Sequence, residues 1–195
     1  MPVHRFFAEL NDLEQNPITG QYNILVIGTF NAADQVGLVN DAEWFYGRNK
    51  NQFWFLFPQL LGYHSLHRRE HPNVALEALA EEWRNFCGEN GIKVVDIFKT
   101  IEGVLPNHGD GAIENPLVYE TFNYEQAFGN CTFDHVLFTW KGRTLNNTLG
   151  VLKENAHDWF IEQGAVVHHM ITPSPVFRRP REWKLEWWLN EFQGQ

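Results

Sequence analysis

The chain has 195 residues, 44% hydrophobic and 20% charged, which fits one ordered globular domain with a real core and excludes a disordered chain. Its net charge of −9 excludes a protein that coats nucleic acid with its whole surface, though it leaves open a local basic patch on an acidic body. Two cysteines, Cys87 and Cys131, are too few for a disulfide scaffold and fit no metal spacing, so they read as free thiols in a reducing compartment.

The opening MPVHRFFAEL lacks the apolar run and cleavage site of a signal peptide, and no apolar run approaches membrane-spanning length, so a cytoplasmic location is expected. The first predicted strand is NILVIGTF, Asn23 to Phe30. A helix is predicted over Gln52 to Leu61, and a second over Asn73 to Gly91 with a glycine stop. Between them His64, His67 and His71 accompany Arg68 and Arg69 in a polar loop, which reads as a solvated surface. The second strand is IKVVDIF, Ile92 to Phe98. Turn signals fill Asn107 to Pro116, a stretch too short to divide domains. The third strand, HVLFTW from His135 to Trp140, precedes a helix over Gly142 to Ala156. The fourth, AVVHHMI from Ala165 to Ile171, precedes a closing helix over Pro180 to Phe192. Its neighbours His168 and His169 point to opposite faces of a strand and cannot share a metal ion.

Strands that are solidly apolar and alternate with helices predict an α/β fold of three layers: a four-stranded, mostly parallel sheet with helices on both faces. Ligands of such sheets bind beyond the carboxyl ends of the strands. That rule singles out the loops after Phe30, Phe98, Trp140 and Ile171, and the two oddest stretches of the chain begin in two of them. FYGRNKNQFW, Phe45 to Trp54, combines aromatic rings, cations and amides. Asn49 and Asn51 can each donate and accept hydrogen bonds, as a base edge or a positioned water requires. Asn51 can equally cap the helix that follows, with Phe53 and Trp54 in the core, and both roles can hold at once. TPSPVFRRPR brackets Ser174 with prolines, sets Val176 and Phe177 at a loop tip and follows them with Arg178, Arg179 and Arg181. A rigid hydroxyl, an apolar tip and adjacent arginines suit a nucleic-acid backbone and a wedge between bases. A proline-rich turn that opens a helix is the plainer reading.

In order, VIGTF, FYGRNKNQFW and ITPSPVF resemble the motifs of the uracil-DNA glycosylase superfamily, nearest its hypoxanthine-DNA glycosylase branch, which resembles mismatch-specific glycosylases. VVDIFKTIEGVLPN and IENPLVYETFNYEQAF resemble that branch's middle segment, and the likeness covers most of Ile24 to Phe192. The resemblance implies the same sheet with helices on both faces. Asn51 falls where the branch has its catalytic asparagine, and Tyr46 at the aromatic beside the base pocket. Classical members carry an acid or amide where Phe30 stands; Asn31 is displaced from that place by one and is a second candidate. The implied base pocket is Gly28, Thr29, Phe30, Tyr46 and Thr172, with Thr172 where classical enzymes carry histidine. Ser174, Phe177, Arg178 and Arg179 are the implied DNA contacts.

The resemblance therefore implies a monofunctional glycosylase that hydrolyses the N-glycosidic bond of uracil or hypoxanthine in DNA. No metal or organic cofactor is expected, and no membrane partner; the partner is DNA with a damaged base, and the protein is expected to be a monomer. Phe30 and Thr172 keep open a nucleic-acid-binding relative without catalysis. The −9 charge keeps open an enzyme of free nucleosides or nucleotides.

Overall fold

The computed structural model describes residues 3–33, 41–102, 113–141, 147–174 and 177–194. In chain order the elements are α1 (Phe7–Gln15), β1 (Thr19–Gly28), α2 (Phe53–Leu60), a short 3-10 turn (Arg68–Glu70), α3 (Leu76–Glu89), β2 (Ile92–Asp96), β3 (Phe98–Ile101), β4 (Tyr119–Thr121), α4 (Tyr124–Phe128), β5 (Asn130–Phe138), α5 (Thr148–Glu162), β6 (Val166–His169) and α6 (Arg181–Gln193).

The main sheet has the order β2-β1-β5-β6, and every neighbouring pair is parallel. Ile24 to Gly28 of β1 and Val136 to Phe138 of β5 are all buried, because helices cover these two central strands on both sides. The carboxyl ends are level: Gly28 lies opposite Asp96, Ile27 opposite Phe138, and Phe138 opposite His169.

β6 shows the layering directly. His168 faces α6, with its Nδ1 3.3 Å from the Glu191 carbonyl and its ring 4.9 Å from that of Phe192. Its neighbour His169 faces α5, 3.1 Å from Nδ1 of His157. On the α6 side Trp54 stacks on Trp83 at 5.0 Å and Phe53 meets Trp188 edge-on, which joins α2, α3 and α6 into one layer. On the other side Tyr124 and Phe160 join α4 to α5.

A carbonyl only accepts, so His168 Nδ1 donates to Glu191 and its Nε2 accepts from His135 Nδ1, 3.1 Å away. Burial favours the neutral form of both rings. Burial lowers the pKa of each, most of all other causes, as it does for His67. Below about pH 6.5 the unfolded chain takes up protons that the folded chain refuses, so stability falls as pH drops towards the lowered folded-state values. The denaturant midpoint should be lower at about pH 5.5 than at about pH 7.5. Equal midpoints would contradict this protonation state.

The expected strands are present with shifted limits. β1 and β5 begin earlier than the apolar runs, at Thr19 and Asn130. There the two strands pair with each other beyond the ends of β2 and β6, so their residues alternate between buried and exposed or stay exposed. The run expected over Ile92 to Phe98 splits at Ile97: β2 ends at Asp96, and Phe98 opens β3, which pairs antiparallel with β4 in a second sheet. The helix expected from Gly142 begins at Thr148, capped by Asn147, and extends to Glu162; residues 142–146 lie outside the described ones. Much of the expected Asn107–Pro116 loop lies outside them too.

Candidate functional site

Three buried indoles fix the loops above the sheet. Trp54 Nε1 donates to the Phe45 carbonyl at 2.9 Å, Trp83 Nε1 to Leu66 at 2.9 Å, and Trp188 Nε1 to Ile171 at 3.0 Å. A buried indole needs a partner for its N–H, and here each partner is a backbone group of a loop. Pro58 within α2 adds a fourth tie. It has no N–H for the Trp54 carbonyl, which accepts from Leu66 N–H at 2.8 Å instead.

At the carboxyl end of β1, Gly28 leaves room for two side chains. A Cβ at this position would overlap Asp96 Oδ1 and the Tyr46 hydroxyl. Asp96, buried at the end of β2, meets His4 Nε2 at 2.7 Å. The Tyr46 hydroxyl lies 2.9 Å from Thr139 Oγ1, just after β5. This contact bridges β1 and β5, where the chain connections diverge and where α/β sheets place their ligands. Tyr46 is the one non-glycine residue with positive φ among those described, at 59°. Its ring stacks on Phe53 at 4.2 Å. Backbone strain of that kind persists only where surrounding contacts impose it.

Asn51 is buried, and its Oδ1 accepts from Phe53 N–H, the first amide of α2, at 2.9 Å; the N-cap position of the helix is Gln52 rather than Asn51, which makes an Asx turn just before it. Its own N–H donates to the Arg48 carbonyl at 2.9 Å. Next to it, Gln52 N–H donates to the Pro173 carbonyl at 3.0 Å. This single bond ties the Phe45–Trp54 stretch to the turn after β6, so the two unusual stretches meet at one rim. Within that turn Thr172 Oγ1 accepts from Ser174 N–H at 3.1 Å, and Lys184 Nζ donates to the Ser174 carbonyl at 2.9 Å. Burial lowers the Lys184 pKa to about 8.

The remaining expected residues are distributed around this rim. Phe30 is buried and meets the His4 ring edge-on at 5.6 Å. Thr29 is half-buried, and its carbonyl accepts from Phe98 N–H at 3.1 Å. Asn31 is buried, and its carbonyl accepts from Arg5 N–H at 2.7 Å. Phe177, Arg178 and Arg179 are exposed. Pro175 and Val176 lie outside the described residues.

The histidine loop differs from expectation. His67 is buried, not solvated, because its ring is needed inside. Its Nε2 donates to the Asn51 carbonyl at 2.8 Å, and its Nδ1 accepts from Arg69 N–H at 3.2 Å, which fixes a neutral tautomer. The same turn sends Arg69 to Asn49 Oδ1 at 3.3 Å and Arg68 to Asp41 at 2.8 Å, and Glu70 receives Arg181 at 2.8 Å. One short turn therefore clasps the Asn51 loop and the start of α6 together. His67→Ala should destabilise the fold by about 1–3 kcal/mol by leaving the buried Asn51 carbonyl unpaired. His67→Gln, whose amide can reach the same carbonyl, should recover part of the loss in a thermal melt.

His4, Asp96, Thr139, His67 and Lys184 were absent from the expected site. An acid ending the apolar run VVD was the one available signal; the others depend on distant pairings that no local pattern records. Among the described residues no group of three or more His, Cys, Asp or Glu could hold a metal ion, and no helix is long and apolar enough to cross a membrane. Cys87 and Cys131 are buried free thiols, and burial pushes the Cys87 pKa up to about 12.

No protein-family model and no curated protein matches the sequence. Among solved structures, this chain is similar to the solution NMR structure of a "putative Uracil DNA glycosylase" from Methanosarcina acetivorans, with 18% identity over 88% of this chain and 92% of the other and a TM-score of 0.48.

Proposed function

We propose that this protein is a monofunctional DNA glycosylase that hydrolyses the N-glycosidic bond of a deaminated base, uracil or hypoxanthine. The observation that carries the reading is the hydrogen bond from Gln52 N–H to the Pro173 carbonyl at 3.0 Å. It joins the loop of Tyr46 and Asn51 to the Ser174 turn, and that meeting of the two stretches supports the reading.

Cleavage needs the base out of its stack, donors for its departing charge, and a water near the anomeric carbon of a cation-like sugar. Asn51 supplies the water site. Its Oδ1 has two lone pairs, and the bond from Phe53 N–H uses one. That bond also holds the carboxamide still, so the water is oriented without a strong base. Tyr46 flanks the extruded base, its ring held by the stack on Phe53. Ser174 and the neighbouring arginines meet phosphates, and Phe177 fills the vacated stack. The test is base release from uracil-, hypoxanthine- and xanthine-containing oligonucleotides, single- and double-stranded, with abasic product scored by alkaline cleavage. No release from any of them overturns the reading.

One observation favours a second reading, a DNA-binding relative without catalysis. Thr172 Oγ1 accepts a bond from its own turn, and this position carries no histidine to stabilise the departing base. Salt-sensitive DNA binding without base release would decide for it.

A further inference from the structure

Beside the rim lies a cavity of about 510 Å³ between the ends of β5 and β6 and helix α6. Its walls include Trp140, Lys141, Thr172, Phe177, Trp183 and Trp187. We propose that this groove binds the unstacked bases of single-stranded DNA beside the target nucleotide, with Trp183 as the stacking surface next to Phe177. The proposal rests on the glycosylase reading for the word "target", and on nothing else in it.

The first argument is exposure. Phe177 and Trp183 are 37% and 38% exposed, 6.0 Å apart, at the mouth of the cavity. Large rings left in water at a concave site suit a ligand with flat apolar faces. The bases of a duplex already have their faces covered, whereas those of a single strand offer them.

The second argument is charge. Lys141 lies 4.6 Å over the Trp187 ring and Arg179 5.2 Å over the Trp183 ring. Neither these two nor Arg178 takes part in an ion pair among the described residues. By contrast Arg5, Arg68, Lys99 and Arg181 all hold carboxylates. On a chain of net charge −9, Lys141 and Arg179 each lie over a ring that lines this cavity, and Arg178 is beside Phe177 in the chain. Rings interleaved with cations, within one nucleotide's reach, are the composition of a single-strand groove. Glu114 also lines the cavity and would repel a phosphate, so the backbone is assigned to the Lys141 and Arg178–Arg179 side.

The third argument removes a competing occupant. The start of α5 borders the cavity, and a free helix terminus there would favour a small anion. Its first amides are already used: Thr148 N–H by Asn115 Oδ1, Leu149 N–H by the Glu114 carbonyl and Gly150 N–H by Asn147 Oδ1. Anion binding must come from side chains, which a strand of phosphates can reach in series.

The test uses undamaged, fluorescently labelled oligonucleotides of about a dozen nucleotides, single-stranded and duplex, with the full chain and a salt titration. The expected result is tighter binding of the single strand. Trp183→Ala should weaken it by about 5- to 150-fold, while Trp183→Phe keeps most of the affinity. Lys141→Gln should lower the salt dependence by about one phosphate. Trp183 is partly exposed, so an unchanged thermal melt will show that the variant folds. Equal or tighter duplex binding, or a Trp183→Ala protein that binds like the parent, overturns the proposal. Because these strands contain no deaminated base, the outcome is independent of base release. Single-strand binding without release sinks the glycosylase reading alone, and release without single-strand preference sinks this groove alone.

Discussion

Replacing Asn51 with alanine is expected to lower kcat for base release by about 10²-fold or more, the usual cost of losing a group that manages the attacking water. The same change removes the bond to the first amide of α2 and so costs about 1 kcal/mol of stability. An inactive protein could thus be merely a looser one, and a second variant separates the two effects. Asn51→Asp keeps an oxygen that accepts from Phe53 N–H, and aspartate makes such turns as asparagine does. Its melting temperature should stay close to the parent's while its rate changes. If Asn51→Ala releases base at the parent rate, Asn51 does not handle the water, and the glycosylase reading loses its catalytic group. If both variants fall in rate only as far as they fall in stability, the residue anchors the start of α2 and no more.

Gly28→Ala is expected to cost about 3 kcal/mol, the upper end for one methyl forced into a filled site. The overlapped atoms are the ends of two side chains, which would ordinarily swing aside. Neither is at liberty to do so. Asp96 is buried and held to His4, and Tyr46 is bound to Thr139 and packed on Phe53. Relieving the overlap means breaking a buried polar pair. For a chain of this length the melting temperature should drop by roughly 6–12 °C. A drop under about 2 °C would show that the Tyr46 and Asp96 ends have room the geometry denies.

The sheet was legible because its signal is local. A strand covered on both faces must be apolar throughout, and the carboxyl-terminal parts of β1 and β5 are. Outside that covered zone the rule fails. Thr19 to Asn23 reads as polar loop because this part of β1 lies beyond β2, where little covers it. The short elements α1, β3, β4 and α4 were not foreseen, since three to nine residues leave too little periodicity to detect.

The candidate site was legible in its loops and not in their fastenings. Composition marked Phe45–Trp54 and the turn after Ile171, and the rule for parallel sheets placed them at one end. No sequence rule could say that Gln52 would reach Pro173, or that His67 would leave a run of charged neighbours to hold Asn51. Arg68, Arg69, Glu70 and His71 after it carry charge or imidazole, the pattern of a solvated loop. Yet a single inward ring suffices to bury one member of such a run.

The clasp at His67–Glu70 has a consequence for motion. Because the same four-residue stretch is fastened to both lips of the rim, neither lip can swing alone. Amide deuteration should therefore quicken or slow at the two lips in step, and anything that prises up one edge must lift the other with it.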